Sequence, residues 1–147
     1  MKDYDKSLRF DELGARLSNA LHLAKKTALR SEQLFRHGAV LFSGAKVFNS
    51  GCNQGRVVGW TSWQAHRFYE RAKAQHTMHA EVSAMHNVVG DVIRGADVLV
   101  VRVNGEGEFA NSRPCSYCER VMRTKGVRNC WYTANDKELR MMRIQNV

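Results

Sequence analysis

The sequence predicts an α/β fold of three layers, α/β/α, built on a mixed central sheet. Three features carry this expectation. An amphipathic helical run opens the chain, two short apolar runs around a glycine follow, and two later helical segments are each succeeded by an apolar, β-branched run. A single proline, 44% hydrophobic residues and no repeat or low-complexity tract fit one globular domain over residues 1–147.

From Asp11 to about Arg30, Leu13, Leu17, Leu21, Ala24 and Ala28 recur on one helical face with charges elsewhere, so this helix packs on a core. Gly38–Phe42 (GAVLF) and Lys46–Asn49 (KVFN) read as an antiparallel pair, joined by Ser43-Gly44-Ala45. GCNQGRVVGW then reads as loop, and TSWQAHRFYERAKAQ as a helix capped at Thr61 or Ser62. A second helix is expected over Ala80–Val89, ending near Gly90, and a buried strand over Ala96–Val103. Asn104–Arg113 is polar and glycine-bearing, a loop or hairpin extension. Pro114 suits the first turn of a helix that runs through CSYCERVMRTK and stops at Gly126. Val127–Thr133 is the last expected strand and the final dozen residues a short helix. The right-handed crossover rule makes the last two long strands run parallel to a neighbour.

Twenty-three Lys and Arg against 14 Asp and Glu leave a net charge of +9. That balance fits a polyanionic partner, nucleic acid or a phosphorylated small substrate, and equally a merely soluble surface, because the cations are dispersed. The mixed charges of MKDYDKSLRFDEL predict no secretory signal, and no stretch approaches a membrane span. A cytoplasmic or nuclear protein without membrane contact follows, in which four cysteines read as free thiols or metal ligands.

Cys115 and Cys118, in PCSYC, have the spacing that lets two thiolates at a helix start reach one Zn²⁺, where the helix dipole favours the thiolate. The same pair reads as a redox couple or as two core cysteines. The redox version weakens because a thioredoxin-like motif follows the first strand, whereas a whole βαβ unit precedes this one. HTMHAEV, residues 76–82, supplies His76 and His79 as further donors; three protein ligands plus water make a catalytic zinc site. His79 and Glu81 would point about 200° apart on a regular helix, so they share a site only if His79 lies at the helix start.

His79-Ala80-Glu81 followed by Pro114-Cys115-Ser116-Tyr117-Cys118 resembles the H-x-E and P-C-x-x-C signature of zinc deaminases. The chain is identified by it as a member of the cytidine and deoxycytidylate deaminase superfamily, and the order of its elements matches that family over nearly the whole domain. Gly51-Cys52-Asn53 is similar to the family's G-x-N element. The resemblance implies a cytidine deaminase-like fold in which His79, Cys115 and Cys118 bind Zn²⁺ and water takes the fourth position. It implies that Glu81 carries protons from the water to the ring nitrogen and the departing amine. It further implies that Asn53 holds the sugar or ring edge and that the Ala80 N–H meets a pyrimidine carbonyl. The expected reaction is hydrolytic removal of the exocyclic amine of cytosine in a nucleoside, a nucleotide or single-stranded RNA or DNA. Adenine-directed deamination of RNA and a non-catalytic, zinc-containing binding protein for nucleic acid are the alternatives. Homo-oligomers are common in the family.

NSRPC departs from the T-x-E-P-C of tRNA adenosine deaminases and guanine deaminases, and the linker from Glu81 to Pro114 is longer than in polynucleotide cytosine deaminases of the vertebrate antiviral type. The subfamily therefore stays open. Trp60, Trp63, Phe68 and Tyr69 among Arg56, Arg67, Arg71 and Lys73 read either as a base-stacking surface or as buried helix aromatics. Arg113 either reaches a substrate phosphate or is solvated. Cys52 and Cys130 read as core residues, and His86 has no assigned role.

Overall fold

The computed structural model of the chain describes residues 3–54 and 78–145. Its elements are β1 (Lys6–Arg9), a 3-10 turn (Phe10–Glu12), α1 (Ala15–Ala28), β2 (Arg36–Ser43), β3 (Lys46–Cys52), α2 (Ala80–Met85), α3 (Gly90–Ile93), β4 (Asp97–Val103), β5 (Phe109–Ala110), α4 (Ser116–Lys125), β6 (Asn129–Thr133) and β7 (Glu138–Arg143). One sheet runs in the order β1-β7-β6-β4-β2-β3, with β5 on β4. Every pairing is antiparallel except β4 with β6, the pair that the crossover rule makes parallel.

Alternation along the central strands divides the core in two. Val40, Phe42, Leu99, Val101 and Trp131 face α1, whose Leu21, Ala24 and Ala28 complete that cluster and whose Leu17 packs at its edge; the helix expected from Asp11 starts at Ala15, and Leu13 packs at the same edge from extended backbone ahead of it. Ala39, Leu41, Val98, Val100, Cys130 and Tyr132 face the other way, against α2 and α4. Strands apolar on both faces are what a sheet between two helical layers requires. The three-layer expectation therefore holds.

Two glycines set how closely the layers approach. A Cβ on Gly38 would run into the Ala24 carbonyl oxygen and the Ala28 backbone of α1. One on Gly51 would strike Ser83 Oγ and lie 2.7 Å from Ala84 N of α2. α1 and α2 thus rest directly on the backbone of β2 and β3, one on each side of the sheet.

Several sequence expectations are corrected. The final dozen residues do not form a helix: residues 138–143 are β7, because the open edge of β6 offers a ladder that outweighs local helix preference, and Leu139 and Met141 fill the α1 side. β1, unforeseen, then pairs on β7. The helix expected over 80–89 ends at Met85; His86 is extended and Asn87 is left-handed at φ 60°, so Gly90 begins α3 rather than closing α2. Gly44, at φ 58°, makes the two-residue hairpin turn with Ala45 as expected. The helix expected over 61–75, its aromatic and basic residues, and His76 lie outside the described residues. No helix among the described residues is long and apolar enough to cross a membrane.

Candidate metal centre

α2 and α4 pack side by side on one face of the sheet and bring their first turns together. His79 is the N-cap of α2, with extended backbone at φ −73° and ψ 156°, and Cys115 is the N-cap of α4. Because His79 stands outside the regular helix, its imidazole and the Glu81 side chain both reach the cavity described below. Gly126, at φ 91°, ends α4 as a left-handed cap.

The three donor atoms converge. His79 Nδ1 lies 3.2 Å from Cys118 Sγ and 3.6 Å from Cys115 Sγ, and all three lie within 4.8 Å of one another. Tetrahedral Zn²⁺ with bonds of about 2.3 Å to sulfur and 2.0–2.1 Å to nitrogen separates such donors by about 3.6 Å, so the residues fit the ion. Cys118 is fully buried and its backbone N–H donates to Cys115 Sγ at 3.5 Å. Tyr117 braces the imidazole edge-on, with 5.7 Å between ring centroids.

Electrostatics within the cluster are polarised. Hydrogen bonding from Cys118, aided by His79, draws the Cys115 thiol down to about 4, whereas burial pushes Cys118 well up. Burial tends to lower His79, but its hydrogen bond to Cys115 and the Glu81 charge outweigh this and raise it. Burial raises Glu81, which is 5% exposed.

A cavity of about 340 Å³ opens on the centre, lined by Phe35, His37, Asn53, His79, Ala80, Glu81 and Arg113 among others. Asn53, His79, Ala80, Glu81 and Cys115 therefore line this cavity, and Cys118 completes the donor cluster. Ala80 is the first residue of α2, and its N–H precedes the first helical bond, Ser83 N–H to His79 O at 2.9 Å. Asn53 is tied to the chain itself: Oδ1 accepts from His37 N–H at 2.9 Å and Nδ2 donates to the Phe35 carbonyl at 2.6 Å. One lone pair and one N–H of its amide remain. Arg113 donates to the Asp3 carbonyl at 2.7 Å and to Tyr132 OH at 3.3 Å, and meets the Asp3 carboxylate at 3.2 Å.

Sequence reasoning missed His37, Phe35 and Ser112. The Ser112 hydroxyl donates to the Val100 carbonyl, meets Thr133 Oγ1 and accepts from Thr133 N–H, each at 2.8 Å. It fastens the approach to Arg113-Pro114-Cys115 onto β4 and β6. No spacing marks such a residue; a serine in a polar tract reads as loop. Cys52, half-buried, and Cys130, fully buried, stand outside the donor cluster.

Residues 15–134 match the family profile of the cytidine and deoxycytidylate deaminase zinc-binding region. Among solved structures, the fold is similar to the apo dCMP deaminase of cyanophage S-TIM5, with a TM-score of 0.55 and 14% identity over 83% of this chain and 86% of that one. It is also similar to a mutant of the cytidine deaminase of Mycobacterium tuberculosis, with a TM-score of 0.52 and 19% identity over 89% of this chain and 93% of that one. No curated protein matches the sequence. The donor cluster falls inside the profile's zinc-binding region, so Zn²⁺ is the cofactor that both the chemistry and the match support. With the profile spanning both halves of the sheet and both cap positions that carry the donors, the chain belongs to the cytidine and deoxycytidylate deaminase family.

Proposed function

We propose that the protein is a zinc-dependent hydrolytic deaminase that converts cytosine to uracil in a nucleoside, a nucleotide or a single-stranded nucleic acid. The observation that carries this reading is a carboxyl, Glu81, 5% exposed in the wall of the same cavity that His79 and Cys115 line, with Cys118 completing the donor set behind them. A zinc site that was only structural would be closed by a fourth protein ligand, whereas among the described residues three donors sit beside an open cavity.

In this mechanism His79, Cys115 and Cys118 hold the ion. Zn²⁺, when bound, supplies a Lewis acid that brings the pKa of water towards neutrality. Glu81 takes a proton from the attacking water and delivers it to N3 of the ring as the water oxygen joins C4. It then moves the second proton to the amine, the C4–N bond breaks, and ammonia leaves. In this reading the Ala80 N–H meets the ring carbonyl, and Asn53 offers its remaining donor and acceptor to the sugar or ring edge. The relatives named dCMP deaminase and cytidine deaminase favour a cytosine substrate.

The test is Glu81→Ala. Zinc content should stay stoichiometric while ammonia release from the wild-type substrate falls at least 10³-fold, roughly the scale of lost acid–base catalysis. Unchanged turnover refutes the mechanism. The substrate follows from mass change with cytidine, deoxycytidine, CMP, dCMP, adenosine, single-stranded DNA and RNA. Conversion of adenosine alone overturns the cytosine assignment, and stoichiometric zinc with no conversion of any of them supports a binding protein instead.

A further inference from the structure

A second, larger concavity of about 840 Å³ lies at the far end of α4 from the metal centre. Arg94, Arg123, Arg128 and Arg143 line it with Asn129 and Gln145, and among the described residues its lining includes neither a carboxylate nor an aromatic ring. Cys115, the N-cap of α4, lines the first cavity and Gly126, the C-cap, lines this one, so ten helical residues hold the two about 15 Å apart.

The four guanidiniums are held differently. Arg128 forks onto Asp97 at 3.2 and 3.5 Å, and that carboxylate, buried, is fixed in turn by Trp131 Nε1 at 3.2 Å. Arg123 is braced by Glu119 at 3.1 Å and the Ile144 carbonyl at 3.4 Å. Arg94 meets Asp91 at 3.4 Å with both side chains largely exposed, a weak, solvent-screened pair readily exchanged for another anion. Arg143 is exposed, its backbone N–H engaged by Asp5, and among the described residues no ion pair occupies its guanidinium.

Two anchored and two exchangeable forks along one groove match a succession of phosphates better than a single anion, because each planar guanidinium can take two phosphate oxygens. Guanidinium forks take phosphate oxygens, and no described residue of the lining offers an aromatic ring for a base to stack on, so the contact assigned to this groove is with the backbone. A net charge of +9 supplies the attraction at a distance. We propose that this groove binds the sugar–phosphate backbone of a nucleic-acid strand through Arg94, Arg123, Arg128 and Arg143. The site is separate from the metal centre, and its test does not use deamination, so it stands or falls apart from the reaction proposed above.

The probe is a fluorescein-labelled dT 12-mer, followed by anisotropy from 20 to 300 mM salt, against wild type, Arg94→Ser/Arg143→Ser and a charge-matched control, Lys26→Ser/Lys137→Ser, on exposed residues elsewhere. The groove variant should bind about tenfold more weakly at low salt and lose about 1.4 from the slope of log K against log salt. The control should change less than about threefold, and all three proteins should keep the same zinc content and melting temperature. Equal losses in both double variants, or no binding by wild type, overturn the proposal. So does tripolyphosphate that displaces the strand as well as unlabelled dT 12-mer does at equal phosphate, because the groove is then a site for small polyphosphates.

Discussion

Replacing Gly51 by alanine tests whether the approach of α2 to β3 builds the metal centre. The new methyl would lie 2.7 Å from Ala84 N, and ordinary contact begins near 3.4 Å, so α2 must back away by roughly 0.7 Å. His79 caps that helix, and metal–ligand distances tolerate only about 0.2 Å, so the nitrogen donor leaves the zinc geometry while both sulfurs, on α4, stay. Zinc affinity should fall about 10–100-fold, the range seen when groups that orient ligands are disturbed. Overpacking itself should cost about 1–3 kcal/mol, a drop of roughly 3–10 °C in melting temperature. Gly38→Ala is the paired control: it overpacks the opposite face, against Ala24 and Ala28 of α1, with comparable or larger loss of stability. Zinc affinity, measured by competition with a chelator on folded protein at 20 °C, should fall in Gly51→Ala and stay within about threefold in Gly38→Ala. Equal zinc affinities in both variants would refute the reasoning.

Ser112→Ala leaves Thr133 N–H without its buried acceptor and should cost about 1–3 kcal/mol by urea unfolding, with zinc still bound. Burial lowers His37 below its ordinary value of 6.5, so the unfolded chain binds more protons there and stability falls as pH drops through 6.5 towards the folded value. His37→Gln should remove that part of the decline in melting temperature between pH 7 and 5, and an unchanged decline would exclude His37 as its source. Chelation of zinc, present at a thousandfold its Kd, should remove about 4 kcal/mol and lower the melting temperature by roughly 10 °C, restored by added Zn²⁺.

What could be read in advance followed from periodicity and from chemistry that admits few residue types. The helical stripe from Leu17 to Ala28, the two-faced apolar strands and the glycine turn at Gly44 each depend on local pattern, and each stands in the structure. The donor residues were legible because thiolate and imidazole at helix starts have few other uses. The terminal ELRMMR segment was not, since its residues favour helix and only the open edge of β6, a contact set by the tertiary fold, draws it into the sheet. Ser112, Gly38 and Gly51 were opaque for the same reason: their roles are set by what approaches them, and neither a hydroxyl nor a missing Cβ announces its neighbour.

Gly51-Cys52-Asn53 illustrates how a short element can serve the site without all of it touching substrate. Gly51 admits α2 and thereby sets the depth of Glu81. Cys52 pairs with Gly38 in the ladder, which holds the end of β3 level with the start of β2. Asn53 then grips Phe35 and His37 with both atoms of its amide, while its own carbonyl accepts from Ser31 Oγ at 3.0 Å. The wall of the cavity opposite the donors is therefore suspended from one asparagine. A substrate contact by Asn53 would use the half of its amide that the strut leaves over, so recognition and wall geometry are coupled through one side chain. Loss of that amide should disturb the shape of the cavity before it removes any single hydrogen bond to the substrate.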